Sequence, residues 1–192
     1  MSNQNIRQFE IVTKYKNQDI NLPKRSTKYS AGYDIQAARD ITIPSIWQPS
    51  FIKYFKDYYS SLPDLDPTNW NAFTNYVSSA ITPTLVPTGI KVKMPKNNVL
   101  KIYNRSSNPL KHHLILANGV GIIDSDYYNN PDNEGEIFGQ FLNFDVKPYA
   151  IKKGDNIMQG VFEQYFLTDN DLASNTRKGG FGSTDVNQEN QD

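Results

Sequence analysis

The chain is expected to fold as an all-β sandwich or barrel. Short apolar runs recur along it, most alternating at the strand period and bounded by Gly, Pro, Asn, Asp or Ser. Helical spacing is confined to one aromatic-rich stretch near residues 45–83. Many short strands with few helices favour a sheet architecture closed or stacked on itself.

Phe9 to Tyr15 alternates as a strand, and Tyr33 to Ala37 and Ile41 to Ile43 follow Ser/Gly punctuation. Residues 45–83 break the pattern. Ser50 is placed to cap a helix carrying Phe51, Tyr54, Phe55, Tyr58 and Leu62 on one face. Asp66-Pro67 supplies a cap and first-turn proline for a second helix, with Trp70, Phe73, Tyr76, Val77 and Ala80 along its face. The pair reads as a helical hairpin inserted into a β scaffold, closed by Pro83 and Pro87. Its aromatics either dock on their own domain or present a partner-binding surface. Gly89 to Met94 alternates apolar residues with lysines, as a half-buried strand does, and Val99 to Tyr103 continues the pattern. Leu114 to Leu116 and Val120 to Ile123 flank Asn118-Gly119, a hairpin signal. Ile137 to Val146 and Ile157 to Phe166 are the last two strands, the second entered through the Gly154-Asp155 turn.

Length and charge narrow the function classes. The 192 residues suit one domain, or one domain with an insertion. Lys plus Arg and Asp plus Glu balance at 20 each, so no global field favours nucleic acid or an anionic membrane. The basic pair Lys24-Arg25 is too short to indicate nucleic acid, and no partner in that class is expected. The absence of cysteine excludes disulfides and thiolate metal sites, and His112-His113 lacks a partner at metal-ligand spacing. No apolar run approaches a membrane span and the polar N-terminus lacks a signal-peptide core. A cytoplasmic protein, in a host cytoplasm if viral, is the expectation.

Chemistry concentrates in five clusters. Lys178-Gly179-Gly180-Phe181-Gly182-Ser183-Thr184 joins closely spaced glycines, a base, a ring and hydroxyls in a polar tail. Successive glycine N–H groups cradle an anion and a ring stacks on a base, a combination suited to a nucleotide; a Gly/Ser tail without function has similar composition. Ala31-Gly32-Tyr33-Asp34-Ile35 sets an acid after a glycine turn. Asn104-Arg105-Ser106-Ser107 offers a cation and hydroxyls at a strand end. Gly121-Ile122-Ile123-Asp124-Ser125-Asp126-Tyr127 puts an acid where an apolar strand stops, and Lys153 to Gln159 leads from a turn into a strand with an amide.

In this order, the five clusters resemble the motifs of the trimeric dUTP diphosphatase (dUTPase) family, over residues from about 20 to 184. The resemblance implies a distorted β jelly-roll, a homotrimer with active sites shared between subunits, and a C-terminal arm, here 177–192, closing over a neighbour's site. Residues 1–176 would then be the β domain, interrupted by the insertion. It implies hydrolysis of dUTP to dUMP and pyrophosphate. Asp124 matches the general base that holds the attacking water, a turn-capping aspartate being the alternative. Asp34 matches the acid that orients water on a Mg²⁺ held chiefly by phosphates; a structural contact with Arg105 at the subunit interface is the alternative, and the two are compatible. Arg105, Ser106 and Ser107 match phosphate contacts, and Gln159 matches the glutamine near the phosphate chain or the water. Asn118 matches the asparagine facing uracil, unless it serves only its turn. Gly121, Ile122 and Ile123 line that pocket, and Tyr127 matches the ring that excludes a 2′-hydroxyl. Phe181 would stack on uracil, with Gly182, Ser183 and Thr184 near phosphates, and either Arg177 or Lys178 reaching the γ-phosphate.

Three departures stand out. Ser107 replaces the usual glycine of the second motif, the tail arginine is displaced by one residue, and Tyr128 to Gly135 is longer than the usual short connection. Two other readings share the scaffold. One is a regulatory protein that binds a repressor through residues 45–83. The other is a dCTP deaminase, which Ser106-Ser107 favours slightly. The stretch from Phe138 to Asn143 contains none of the acid that deamination needs.

Overall fold

The computed structural model describes residues 6–47, 81–174, 177, 179 and 180. The expected helices within 45–83 fall almost wholly outside the described residues, as do Lys178, Phe181, Gly182, Ser183 and Thr184. Among the described residues there are eleven strands and one short helix. The strands are β1 (Gln8–Ile11), β2 (Tyr33–Gln36), β3 (Ile41–Ile43), β4 (Thr84–Pro87), β5 (Ile90–Lys93) and β6 (Asn98–Asn104). Helix α1 (Ser107–His112) follows, then β7 (Leu114–Leu116), β8 (Val120–Asp124), β9 (Phe138–Asn143), β10 (Tyr149–Ile151) and β11 (Asn156–Gln164). No described helix is long and apolar enough to cross a membrane.

All strand pairs are antiparallel. The largest sheet has the order β2-β11-β6-β8, the next β4-β9-β7, and β1-β5 and β3-β10 form two-stranded ribbons. Ile35, Leu100, Ile102 and Met158 from the first sheet pack with Val86, Leu114, Leu116 and Phe141 from the second. The period of two does this work: along β9 Gly139, Phe141 and Asn143 are buried while Phe138, Gln140 and Leu142 are less so. Asn143 is a fully buried polar residue whose groups are all used. Its Nδ2 donates to the carbonyls of Ile43 and Lys147, and its Oδ1 accepts from the N–H of Asp145. These bonds tie β3, β9 and the turn toward β10 together.

The all-β expectation holds, with several corrections. The expected Leu114–Ile123 hairpin does not form: β7 pairs with β9 and β8 with β6. A two-residue hairpin of type I′ needs positive φ at both central residues. Only Gly119 has it, at 67°, so the Asn118-Gly119 turn passes the chain from one sheet to the other. The first strand ends at Ile11 and Thr13–Tyr15 forms a 3-10 turn. The strand expected to run to Val146 stops at Asn143, and the last one stops at Gln164. β4 and β10 escape the alternation rule because each is very short and proline-flanked; Pro87 sits on the edge strand β4, where a missing N–H is tolerated. Lys91 does not face solvent as alternation implies. It is 8 % exposed, with Nζ donating to Asn129 Oδ1 at 2.6 Å and sitting 3.4 Å from Glu134 Oε1.

The two ends of the expected insertion are both seated. Ser45 bridges to Asn143 and Trp47 Nε1 donates to the carbonyl of Phe144, while Thr84 pairs with Phe141. Ser45 and Thr84, on either side of residues 48–80, are therefore both held by β9.

Phe141 carries the joint between the two larger sheets, being 1 % exposed. Phe141→Ala is expected to cost about 3–5 kcal/mol in urea unfolding, the range for a large ring removed from a core that only partly collapses. A loss below about 1 kcal/mol would contradict the packing described.

Candidate functional site

The central strand β6 has β8 on one side and β11 on the other, and these pairings distribute the chemistry-bearing residues into two groups. The first group surrounds a cavity of about 190 Å³ beside β8. The turn before β8 contributes Asn118; β8 itself contributes Gly121, Ile122, Ile123 and Asp124. Gly121 lies opposite Ile102 and Ile123 opposite Leu100, so one wall of the cavity is anchored in the core. Asp124 is the last residue of the strand, where the ladder ends and a carboxylate can face solvent. The 3-10 turn Ser125–Tyr127 then brings the Tyr127 ring inward against the same cavity, 7 % exposed. Burial raises the Tyr127 phenol pKa, and a hydrogen bond from Asn133 opposes that rise.

The resemblance implies a tail closing over a neighbour's site, but here the tail meets the cavity of its own chain. Arg177 bridges two carboxylates, its Nη2 donating to Asp124 Oδ2 and its Nε to Asp126 Oδ1 at 2.8 Å. Gly180 lies against the Tyr127 ring so closely that a Cβ there would sit 2.8 Å from the ring edge. Closure of the tail over Tyr127 thus needs a residue without a side chain at 180.

The second group forms on the opposite part of the largest sheet. Asp34, Gln159 and Tyr103 lie side by side across β2, β11 and β6. Asp34 accepts a short hydrogen bond from Ser26 Oγ and lies 3.6 Å from Arg105 Nε. Arg105 Nη1 also donates to the carbonyl of Asn156 at 3.0 Å. Gln159 Nε2 donates to the Asn104 carbonyl, and its side chain fills the space above Gly32, where a Cβ would come within 2.5 Å of Oε1. The first motif's glycine and the fourth motif's glutamine are therefore one packing unit. Ser106 and Ser107 open α1 directly after Arg105, Ser106 exposed and Ser107 partly buried.

One chain does not bring the two groups together. Asp124 pairs with Val99, whereas Arg105 lies six residues further along the chain, just past the end of β6. At roughly 3.3 Å per residue the two side chains start about 20 Å apart. The expected contact of Asp34 with Arg105 is made, and it is made within one subunit. His112, expected at a surface or pocket rim, packs its ring at a tilt against that of Tyr149, 4.8 Å between centroids, and lines a second cavity with Arg105.

Sequence reading missed Glu136. It lines the cavity and is 4 % exposed, with Oε1 accepting from the Gly89 N–H at 3.1 Å. Nothing in its local sequence separates it from the acids of the preceding polar loop; only the turn of the chain into β9 buries it. Burial pushes its carboxyl pKa up, the Gly89 hydrogen bond opposing more weakly. A carboxyl raised on folding favours the fold below its unfolded pKa and loses that contribution as pH rises through the folded value. Glu136→Gln keeps an acceptor for Gly89 and carries no charge. Its melting temperature is therefore expected to fall less than that of the parent chain as pH rises above the ordinary carboxyl range. Parallel melting curves over that rise would count against a buried charge here.

The geometry matches a known family. The dUTPase family model matches residues 71–185. Deoxyuridine 5′-triphosphate nucleotidohydrolase of Lactococcus lactis subsp. lactis (strain IL1403) is 44% identical over 181 residues, covering 93% of this chain and 97% of that protein. The crystal structure of dUTPase from Streptococcus mutans is 35% identical, with a TM-score of 0.63 over 84% of this chain and 98% of that one. A mutant dUTPase from phage phi11 of S. aureus, in which a structural Mg(II) ion is coordinated, is 16% identical. It shares the fold, with a TM-score of 0.56 over 89% of this chain and 98% of that one. The family model and the relative matched over nearly its whole length agree: this chain belongs to the dUTPase family.

Proposed function

We propose that the cavity beside β8 receives the deoxyuridine of dUTP and that Asp124 activates the attacking water. The products are dUMP and pyrophosphate. The class of activity, dUTP diphosphatase, follows from the family. The observation that carries the residue assignment is the position of Asp124, at the open end of a strand whose preceding residues line a nucleoside-sized cavity.

Asn118 faces the base edge, where a side-chain amide can both donate to and accept from a uracil ring. Ile122 and Ile123 supply apolar contact. The Tyr127 ring lies under deoxyribose and leaves no space for a 2′-hydroxyl. Asp124 accepts a proton from water as its oxygen bonds to the α-phosphorus. The bond to the bridging oxygen breaks and pyrophosphate leaves with the electron pair. Arg177, which bonds to both Asp124 and Asp126, transfers to the phosphates as they arrive and releases Asp124 for its role. Phe181 stacks on uracil while Lys178, Gly182, Ser183 and Thr184 approach the phosphates, completing the arm.

Arg105, Ser106, Ser107 and Gln159 bind the phosphate chain and its water. About 20 Å of strand separates Arg105 from Asp124 in one chain, so the phosphate group of one subunit serves the cavity of another. A homotrimer with shared sites satisfies this. The extended segment after β11 supports it, since Phe166, Leu167 and Leu172 are 95%, 68% and 90% exposed in the single chain. Mg²⁺ fits the residues present in one way. Among the described residues no three His, Asp or Glu side chains converge as a metal cage, and Asp34 is already engaged by Ser26 and Arg105. That donor set suits an ion held by substrate oxygens and waters, with Asp34 orienting a water. When bound, the ion neutralises triphosphate charge.

Pyrophosphate release from dUTP, dCTP, dTTP and UTP, run beside an ammonia assay, tests the substrate class. Release from dUTP alone is expected, without ammonia; ammonia from dCTP would move the site to deamination. Asp124→Asn should lower kcat by about 10²- to 10⁴-fold while nucleotide still binds. Full turnover in that variant would remove Asp124 from the mechanism. Mixing Asp124→Asn with Arg105→Ala subunits under conditions that reassemble the trimer should restore about a quarter of the sites. A mixture no more active than either parent would rule out sharing between subunits.

A further inference from the structure

We infer that Asn133, on the long connection between Tyr127 and β9, sets the sugar specificity of the cavity by holding the Tyr127 hydroxyl in place. The inference rests on the reading that Tyr127 lies under deoxyribose. A ring discriminates against a 2′-hydroxyl only if it cannot retreat, so whatever fixes the ring contributes to the discrimination.

The geometry is specific. Asn133 Nδ2 donates to the Tyr127 hydroxyl at 2.7 Å, and that hydroxyl donates onward to the Glu136 carbonyl at 3.4 Å. The amide cannot rotate freely, because Asn133 Oδ1 accepts from the N–H of Gly135 at 2.9 Å. With its oxygen committed to Gly135, the amide presents its nitrogen to the phenol. The Asn133 carbonyl also accepts from the Glu136 N–H at 3.0 Å, so Asn133 links the phenol to the start of β9.

The connection is long, yet it is tied at each end and in the middle. Asn130 N–H donates to the Tyr127 carbonyl and Glu134 N–H to the Asn130 carbonyl, which folds the segment back on Tyr127. Glu134 accepts from both the N–H and Oγ1 of Thr13, at 2.7 Å and 2.9 Å. The buried Lys91 reaches Asn129 and Glu134 from β5. A loop anchored on β5 and the N-terminal segment thus delivers one amide to one hydroxyl in the cavity wall. Gly180 lies against the ring near its hydroxyl end. The phenol is thus held by the Asn133 amide and contacted by the tail.

Asn133 is a positioning residue, since it acts on substrate only through Tyr127. The test is the ratio of kcat/KM for dUTP to kcat/KM for UTP. Asn133→Ala is expected to lower the ratio about tenfold, the scale of one buried hydrogen bond, chiefly by improving use of UTP. Asn133→Asp keeps an oxygen for the Gly135 N–H and a second oxygen that accepts from the phenol, and is expected to recover most of the ratio. Tyr127→Phe, which retains the ring and removes the hydroxyl, should lower the ratio to a similar extent. Adding Asn133→Ala to it should change little more. If Asn133→Ala melts below the assay temperature, Tyr127→Phe and Asn133→Asp alone decide the matter. A ratio unchanged in Tyr127→Phe overturns the inference, as does one unchanged in folded Asn133→Ala. Tyr127→Ala separates this from the underlying reading: if that variant also keeps the parent ratio, the tyrosine does not face the sugar, and both statements fall. If it loses the ratio while Asn133→Ala keeps it, only the role of Asn133 falls.

Discussion

The pairing of β6 with β8 on one side and β11 on the other is the constraint on which the rest of the molecule depends. Hydrogen-bonded register admits only whole-residue steps, and a slip of one residue would turn every buried side chain outward. With Leu100 and Ile102 committed to the core, Asp124 must lie opposite Val99, and Gln159 opposite Tyr103. The distance between the carboxylate of β8 and the cation after β6 is thereby set by core packing. A site that used both groups, as proposed, would draw them from two chains.

Around that frame, each functional group is held by something that has little to do with chemistry. Asp34 is fixed by Ser26 and Arg105, Gln159 by the space above Gly32, and Tyr127 by Asn133 and Gly180. Binding groups held this way lose little freedom when a ligand arrives, and that is the physical content of preorganisation. The electrostatics follow the same local logic. Positive and negative residues balance over the whole chain, yet Arg177 sits between two carboxylates at the cavity mouth. Local pairing of this kind is short-range and does not register in a global charge count.

Much of this was legible in the residues. Alternation and turn chemistry located most of the strands, and the order of five short clusters pointed to the family. The Asn118-Gly119 turn misled, because a dipeptide that favours a tight turn does not say whether the strands on either side pair with each other. Lys91 misled, and Glu136 went unread, for a related reason. Period-two alternation assigns faces within a strand, but whether a face is covered depends on what packs there. Here the loop from Tyr128 to Gly135 covers Lys91, and entry into β9 covers Glu136.

The amino-acid order by itself determined the fold class and the chemical inventory, because strand propensity, turn residues and motif spacing are local properties. Tertiary structure alone decided which of those groups share a site. It separated Arg105 from Asp124, joined Gly32 to Gln159, and brought Asn133 back onto Tyr127. Those relations pass through register and burial, which arise between segments distant in the chain and leave no signature in either segment alone.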